Sequence, residues 1–547
     1  MSVLIALMVL LLIAMVTFLF QILRTNRSKR SFYIEMGREV SIYSGYKIGT
    51  YMKNLCGSLL VLLFSSVLSC NNVQNYGVAS INAHYVPQRT RTTLKTTSLP
   101  IAAKTIVVTI TGTDFTPIIK NVDVTTNPSG TTISGIPAGN DRTVSVEVED
   151  ASHNIIAKGK TTGVKINANS INPVDILITD TGVFTQLEDK VLPRAFAISC
   201  PLPDGRYIIL GGITEQYSLC GNGCVQFKAT SQTELYNPGT GKFSQGPQMI
   251  EPRSFFTASI LDNGNIVVIG GTDTVNVSCS ITTCSIVIPP QNVKASIEIY
   301  DPVSNSFFKA RSLLMPRAGH TTNLIKDNLL VAGGIGVNGP TNSAELIDLK
   351  ADNDILYQMV ISRIFQSGIT YPVDRVLLAG GNISSDKIEI FQLSNGFSLY
   401  NNIVWQAYFT ASLFVPATEE IILNGGIGKD GEPLGTLAIM DSTRGVFAGY
   451  RQMESPRAIF SDVLLGDNTI LIGGGITTAT FTTTTSAEIF SVSSKSFVKK
   501  TLLTTLRAGY AAQSLLNGSA LLISGFININ PLKGSITFAD TAEIYNP

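Results

Sequence analysis

The sequence predicts an all-β protein: a seven-bladed β-propeller closed by its own N-terminal strand and preceded by a small β-sandwich. Three observations predict it. A phenylalanine recurs ten residues before an arginine, at Phe184/Arg194, Phe243/Arg253, Phe307/Arg317, Phe447/Arg457 and Phe497/Arg507. About seventeen residues after each arginine stands a glycine pair or its remnant: Gly211-Gly212, Gly270-Gly271, Gly333-Gly334, Gly473-Gly474 and Ser524-Gly525. Two degenerate copies fill the gap, one with Arg363 and Gly380-Gly381, the other with Phe397, Gly425-Gly426 and Ala407 in the arginine's place. Third, each copy holds four short apolar runs separated by turn residues. Four strands at a period near 50 describe propeller blades rather than solenoid turns.

The elements follow in chain order. Residues 2–20 are almost wholly apolar and precede Arg24, Arg27, Lys29 and Arg30, the pattern of a membrane helix or the core of a signal. A second signal begins at Met52-Lys53 and has an apolar run from Leu59 to Leu68, too short to span a bilayer. Two export signals in tandem conflict. The expectation is that translation starts at Met52 and that 1–51 is an upstream extension; a true N-terminal membrane helix is the alternative. Val67-Leu68-Ser69-Cys70 resembles a relaxed bacterial lipobox, with Val67 where strict lipoboxes prefer leucine. The resemblance implies a signal peptide over 52–69, removed together with Cys56, and Cys70 lipidated in the bacterial envelope, at the outer membrane, facing either periplasm or exterior. Residues 70–100 are polar, Thr-rich and aperiodic, and read as a flexible tether.

Over 101–180, alternating runs such as Thr105–Thr111 and Thr143–Val148 are broken by Pro128-Ser129-Gly130 and Pro137–Asn140. That pattern suits an antiparallel β-sandwich. The stretch Ser134–Gly139 followed by Val144–Asp150 resembles the immunoglobulin-like or transthyretin-like modules of bacterial surface lipoproteins.

Residues 181–547 hold the repeats. In each, an apolar strand follows the arginine, a second runs into the glycines, a third carries Glu-x-Tyr-(Asn/Asp)-Pro or a relative, and the fourth holds the phenylalanine. The double glycine and the Glu234–Pro238, Glu298–Pro302 and Glu543–Pro547 strands resemble the kelch repeat and galactose-oxidase-like propellers, with Phe where kelch places Trp. The chain ends on a third strand, while Phe184 stands in register with no blade ahead of it. Residues 182–187 are therefore expected to supply the missing fourth strand and remove two exposed edges.

Six arginines at one level of a ring suggest an anion-binding collar. The repeats favour another reading: each arginine shares its copy with a third-strand glutamate, as Arg194/Glu234, Arg253/Glu298, Arg317/Glu345, Arg363/Glu389, Arg457/Glu488 and Arg507/Glu543. The remaining copy lacks both, with Ala407 and Leu437. Joint loss is what a buried ion pair predicts, because removing one partner alone strands a charge.

Binding residues concentrate on loops. The segments between glycines and glutamate are short in copies three to five (335–344, 382–388, 427–436), long in copies one and two (213–233, 272–297) and intermediate in six and seven (475–487, 526–542). Ring closure makes copies six, seven, one and two neighbours, so these loops should raise one side of one face. Candidate contacts are Tyr217, Gln226, Phe227, Asn276, Thr480, Phe481, Asn528 and Lys533; insertion without a ligand is the alternative. Cys220/Cys224 and Cys279/Cys284 read as two disulfides pinning loop tips, with a four-thiolate zinc site as the alternative. Cys200 lies in an apolar run and reads as a buried thiol.

Charged residues make up 14% of the chain and the formal net charge is +1, so nucleic acid is not an expected partner. A galactose-oxidase-like copper centre needs two histidines, and the propeller has only His320, at a position that suggests packing. No sialidase Asp box, nucleophile elbow or phosphate loop occurs, and Asp430 and Glu432 read as turn residues. The expectation is a monomeric, lipid-anchored, non-catalytic binding module without cofactor, taking a protein or glycan. The alternative is a divergent galactose-oxidase-like or carbohydrate-active enzyme.

Overall fold

A computed structural model describes residues 76–86, 99–100, 102–124, 130–221, 223–351, 354–372, 374–401, 403–530 and 535–547. The expected extension, signal peptide and lipidation site lie outside these residues, as does Lys533.

The N-terminal module is built from β1 (Tyr76–Val86), β2 (Thr105–Gly112), β3 (Phe115–Asp123), β4 (Gly130–Pro137), β5 (Gly139–Glu149), β6 (Ile155–Ile166) and β7 (Ile171–Asp180). They form one sheet in the order β3-β2-β5-β6-β7-β1-β4. Period-two alternation places Ile106, Val108 and Ile110 of β2 and Val144, Val146 and Val148 of β5 inside. Instead of two separate layers, the module is a single sheet rolled until its edge strands β3 and β4 touch. Register shifts in β5 near Arg142 and Val148 supply the bends. Nor is it wholly antiparallel, because β1 runs parallel to β7.

Strand β1 corrects the tether reading of 70–100 over residues 76–86; residues 70–75 and 87–98 lie outside the described residues. Its inward positions are Gly77, Ala79 and Ile81, and two side chains of three are too small to register as apolar alternation. Asn82 and His84 make the segment look solvated, yet both contact the Asp175 carboxylate of β7, at 3.2 and 2.9 Å.

From β7 the chain passes directly into β8 (Phe184–Gln186) and the propeller. Seven four-stranded antiparallel sheets follow one another; blade three, for example, is Thr321–Ile325, Asn328–Ala332, Ser343–Asp348 and Ile355–Gln358. Strand one of each sheet touches strand one of the next, and that of blade seven (Ala511–Ser514) touches that of blade one (Ile198–Pro201), closing the ring. Second strands such as Tyr207–Leu210 and Ile266–Ile269 are buried throughout, because neighbouring blades cover both faces. The repeated phenylalanines pack on third-strand aromatics: Tyr236–Phe243, Tyr300–Phe307 and Phe391–Phe397 have ring centroids 4.8, 5.0 and 4.8 Å apart. Phe184 of β8 does the same on Tyr545, at 5.1 Å, as β8 pairs with Ala542–Tyr545 and completes blade seven.

The glycine pairs clasp the blades together. The N–H of the second glycine donates to the carbonyl of the arginine opening the next blade: Gly212 to Arg253 at 3.0 Å, Gly271 to Arg317 at 2.9 Å, Gly334 to Arg363 at 2.7 Å. Gly525 bonds Arg194 at 2.8 Å and seals the circle. Both glycines have φ between 55° and 96° in blade one, and a Cβ on Gly212 would lie 2.6 Å from the Ala195 carbonyl. In blade six the pair with this geometry is Gly474-Gly475, one residue later than the sequence pattern suggested; Gly473 ends strand two.

Candidate ligand-binding face

The arginines are internal braces. Nη2 reaches the partner carboxylate at 2.6 Å in Arg253–Glu298, 2.7 Å in Arg317–Glu345, 3.0 Å in Arg457–Glu488 and 2.5 Å in Arg507–Glu543. Arg194–Glu234 pairs in the same way, and Arg363 reaches Glu389 through Nε at 2.8 Å. Nη1 donates to the carbonyl of the first glycine or its replacement, for example Gly333 at 2.8 Å and Ser524 at 2.9 Å. Each glutamate also accepts main-chain N–H groups ahead of the arginine, as Glu298 does from Ile250 and Glu251 at 2.7 and 2.9 Å. All six arginine side chains have 0% exposure, so no guanidinium faces a ligand. Burial draws the pKa of Arg194, Arg317, Arg363 and Arg457 down, and the paired carboxylates oppose that shift. In blade five, Ala407 packs with Trp405, whose Nε1 donates to Thr410 at 2.8 Å.

The long loops on the same face pair with each other. Ile213–Gly221, Cys224–Ala229, Thr274–Cys279 and Cys284–Val287 form a separate four-stranded sheet, with Gln226 opposite Asn276. The blade-seven loop is a hairpin of Phe526–Asn530 and Ser535–Phe538. Val225, Phe227, Val275, Val277, Phe481, Phe526 and Phe538 fill one apolar core beneath this cap. Cys284 N–H donates to Ala479 at 2.8 Å, Thr483 donates to Ile527, and Ala479 N–H donates to Glu432 at 3.1 Å. Glu432 thus ties the loops of blades five and six, beyond its turn.

Among the candidate contacts, Phe227 and Phe481 are buried core residues of the cap, which corrects their assignment as ligand contacts. Gln226 and Asn276 are half-buried on the opposite side of the sheet and joined by a hydrogen bond of 3.1 Å. Thr480 and Asn528 are exposed. The backbone of Tyr217 pairs with Phe227, and its side chain lies outside the described residues. Disulfides join Cys220 to Cys224 and Cys279 to Cys284, so these sulfurs are not free to bind zinc. Cys200 is buried, and burial pushes its thiol pKa up to about 12. His320 is buried at the interface between blades; Nε2 sits 3.0 Å from the Thr257 hydroxyl, while burial and the charges of Arg317 and Arg253 take its pKa down to about 3. Among the described residues no group of three His, Cys, Asp or Glu side chains could hold a metal ion.

Sequence reasoning missed the axial aromatics. Phe196, Phe255, Phe365 and Phe409 stand two residues after the arginine, or after Ala407, with φ of 58°, 51°, 54° and 56°. Phe196–Phe255, Phe255–Phe365 and Phe365–Phe409 are 4.5, 5.1 and 4.2 Å apart at their centroids. Together with Ile459, Gly319 and Gly509 they line a cavity of about 290 Å³ on the ring axis, and Phe196, Phe255 and Phe409 pack against the cap core. The available signal was Arg-x-Phe, repeated at 194–196, 253–255 and 363–365.

No family model matches the chain, and no curated protein matches it. Among solved structures it is similar to YjhT, at 14% identity and a TM-score of 0.39, over 57% of this chain and 99% of that one. It is also similar to a fungal alcohol oxidase of the AA5 family in complex with copper, at 16% identity and a TM-score of 0.49, over 65% of this chain and 75% of that one.

Proposed function

We propose that the protein is a non-catalytic binding module of the bacterial envelope, lipid-anchored at Cys70, that takes a protein or glycan on the outer side of the cap. The observation that carries this reading is the shared cap core. Insertions from four repeats pack on one another, and a disulfide closes each of the blade-one and blade-two loops. Their outer side therefore presents Gln226, Lys228, Asn276, Ser278 and Ser285 from adjacent strands with little freedom left to lose on binding. Because β1 starts at Tyr76, only five residues separate it from Cys70; lipidation there would hold the module within about 20 Å of the bilayer.

A glycan array and an envelope extract, probed with the full chain and with a Gln226→Ala/Lys228→Ala/Asn276→Ala variant, test the cap. A specific ligand lost in the variant at unchanged melting temperature is expected; a ligand equally bound by both would remove the cap from the reading. Stoichiometric copper with oxidase turnover would replace the binding module by the galactose-oxidase-like alternative. An unlipidated peptide spanning Ser69-Cys70 in the mature protein would remove the anchor.

A further inference from the structure

We infer a second site, independent of the cap: an oxyanion-binding cleft where β6 and β7 face the turns of blades one and seven. The cleft measures about 470 Å³ and runs from Lys160–Lys165 to Asp204–Arg206, Asn237 and Asn517. That volume falls within the roughly 300–1,000 Å³ usual for small-ligand sites, which favour junctions between domains.

Both carboxylates of the cleft are engaged within the protein. Asp175 accepts from His84 Nε2 at 2.9 Å and Asn82 Nδ2 at 3.2 Å. Asp204 is held by Arg206, whose Nε and Nη2 lie at 2.7 and 2.6 Å. The carboxamide oxygens are engaged as well: Asn237 Oδ1 accepts Gly239 N–H at 2.9 Å, and Asn517 Oδ1 accepts Ser519 N–H at 3.0 Å. The lysines of the lining and the carboxamide nitrogens remain as donors, and Arg206 adds a third cation. Lys160 and Lys165 are exposed and have no carboxylate partner among the described residues. The Nδ2 groups of Asn237 and Asn517 have no acceptor among them either. Three cationic side chains, Lys160, Lys165 and Arg206, against two carboxylates on the lining, with two amide NH₂ groups as further donors, suit a ligand rich in anionic oxygen, a carboxylate or a phosphate.

Isothermal titration of the full chain tests this with a four-residue oligouronate, inorganic phosphate, vesicles of anionic phospholipid, and neutral maltotetraose. Saturable, salt-sensitive binding of the oligouronate is expected, with none of maltotetraose. Lys160→Ala/Lys165→Ala should raise Kd at least about tenfold at unchanged melting temperature, and Lys160→Glu should weaken binding further. Phosphate or vesicle binding with the same lysine dependence would assign the oxyanion to phosphate or to a lipid headgroup. The cap variant Gln226→Ala/Asn276→Ala should leave these affinities unchanged. Absence of binding to all three anions, or affinity that survives the double lysine substitution, overturns the assignment.

Discussion

Arg317 is fully enclosed, and what it contacts decides the effect of its loss. Its guanidinium bonds the Gly333 and Ser343 carbonyls and the Glu345 carboxylate, while Glu345 also holds the Leu314 and Met315 N–H groups. Arg317→Ala strands a buried carboxylate and should cost about 3–5 kcal/mol in urea unfolding. Arg317→Ala/Glu345→Leu copies blade five, where Ala407 and Leu437 occupy these positions, and should recover much of that loss. This pairing was legible in the sequence because the repeats supply an internal comparison. Asp462 was not, because no other copy has its contact. Asn424 of blade five donates to Asp462 Oδ1 at 3.2 Å, while Asp462 Oδ2 and Asn424 Oδ1 have no partner among the described residues. Burial pushes the Asp462 pKa up to about 7, against the pull of Asn424 and Arg457. Since the unfolded value is near 3.9, the folded state keeps a proton that the unfolded chain releases between about pH 4 and 7. The stabilisation from this site is full below pH 4 and is lost as pH rises to 7. Asp462→Asn should flatten that slope and raise the urea midpoint at pH 8, while leaving the midpoint at pH 4 nearly unchanged.

At the scale of elements, runs such as Ile266–Ile269 were legible because burial on both faces leaves an unbroken apolar string. Strand β1 was hidden by glycine and alanine. The cap sheet was hidden for a different reason: Cys224–Lys228 pairs with Thr274–Ser278, fifty residues away, and no local pattern encodes a partner between loops. For the same reason Phe227 and Phe481 looked like exposed loop aromatics when they are the cap's core. The hairpin Thr274–Val287 is closed by Cys279–Cys284 across a sequence separation of 5. A loop that short is worth about 2 kcal/mol of chain entropy. Cys279→Ser/Cys284→Ser should therefore speed amide exchange in Thr274–Val287 and leave exchange in Leu329–Ala332 as it was, read by hydrogen–deuterium mass spectrometry. Exchange that accelerates equally in both segments would show that the cap and the ring unfold as one unit.

For the whole molecule, the phase of the repeat was enough to foresee that a strand near residue 184 completes the last blade. It could not foresee how the rolled sheet and the ring are joined. That junction uses main-chain and short polar groups without a repeating signature: Gly182 N–H on the Asn546 carbonyl at 2.6 Å, Asn546 Nδ2 on the Lys158 carbonyl at 2.9 Å, and Lys499 Nζ on the Gly182 carbonyl at 2.7 Å. Deleting residues 182–188 removes β8, exposes the Ala542–Tyr545 edge and should unfold the ring; a ring that melts at the temperature of the full chain would refute closure by this strand.

The junction also sets where a mechanical load enters. Tension drawn through β7 arrives at β8, a strand of three residues held by an antiparallel ladder. Taken alone, β8 would peel away one rung at a time and the circle would open at that seam. Asn546 changes this path. By bonding β6 and β7 directly from the other end of the chain, it passes part of the pull to the third strand of blade seven, bypassing the seam. Both termini of the ring then share the load, and the β8 seam is no longer its single path into blade seven.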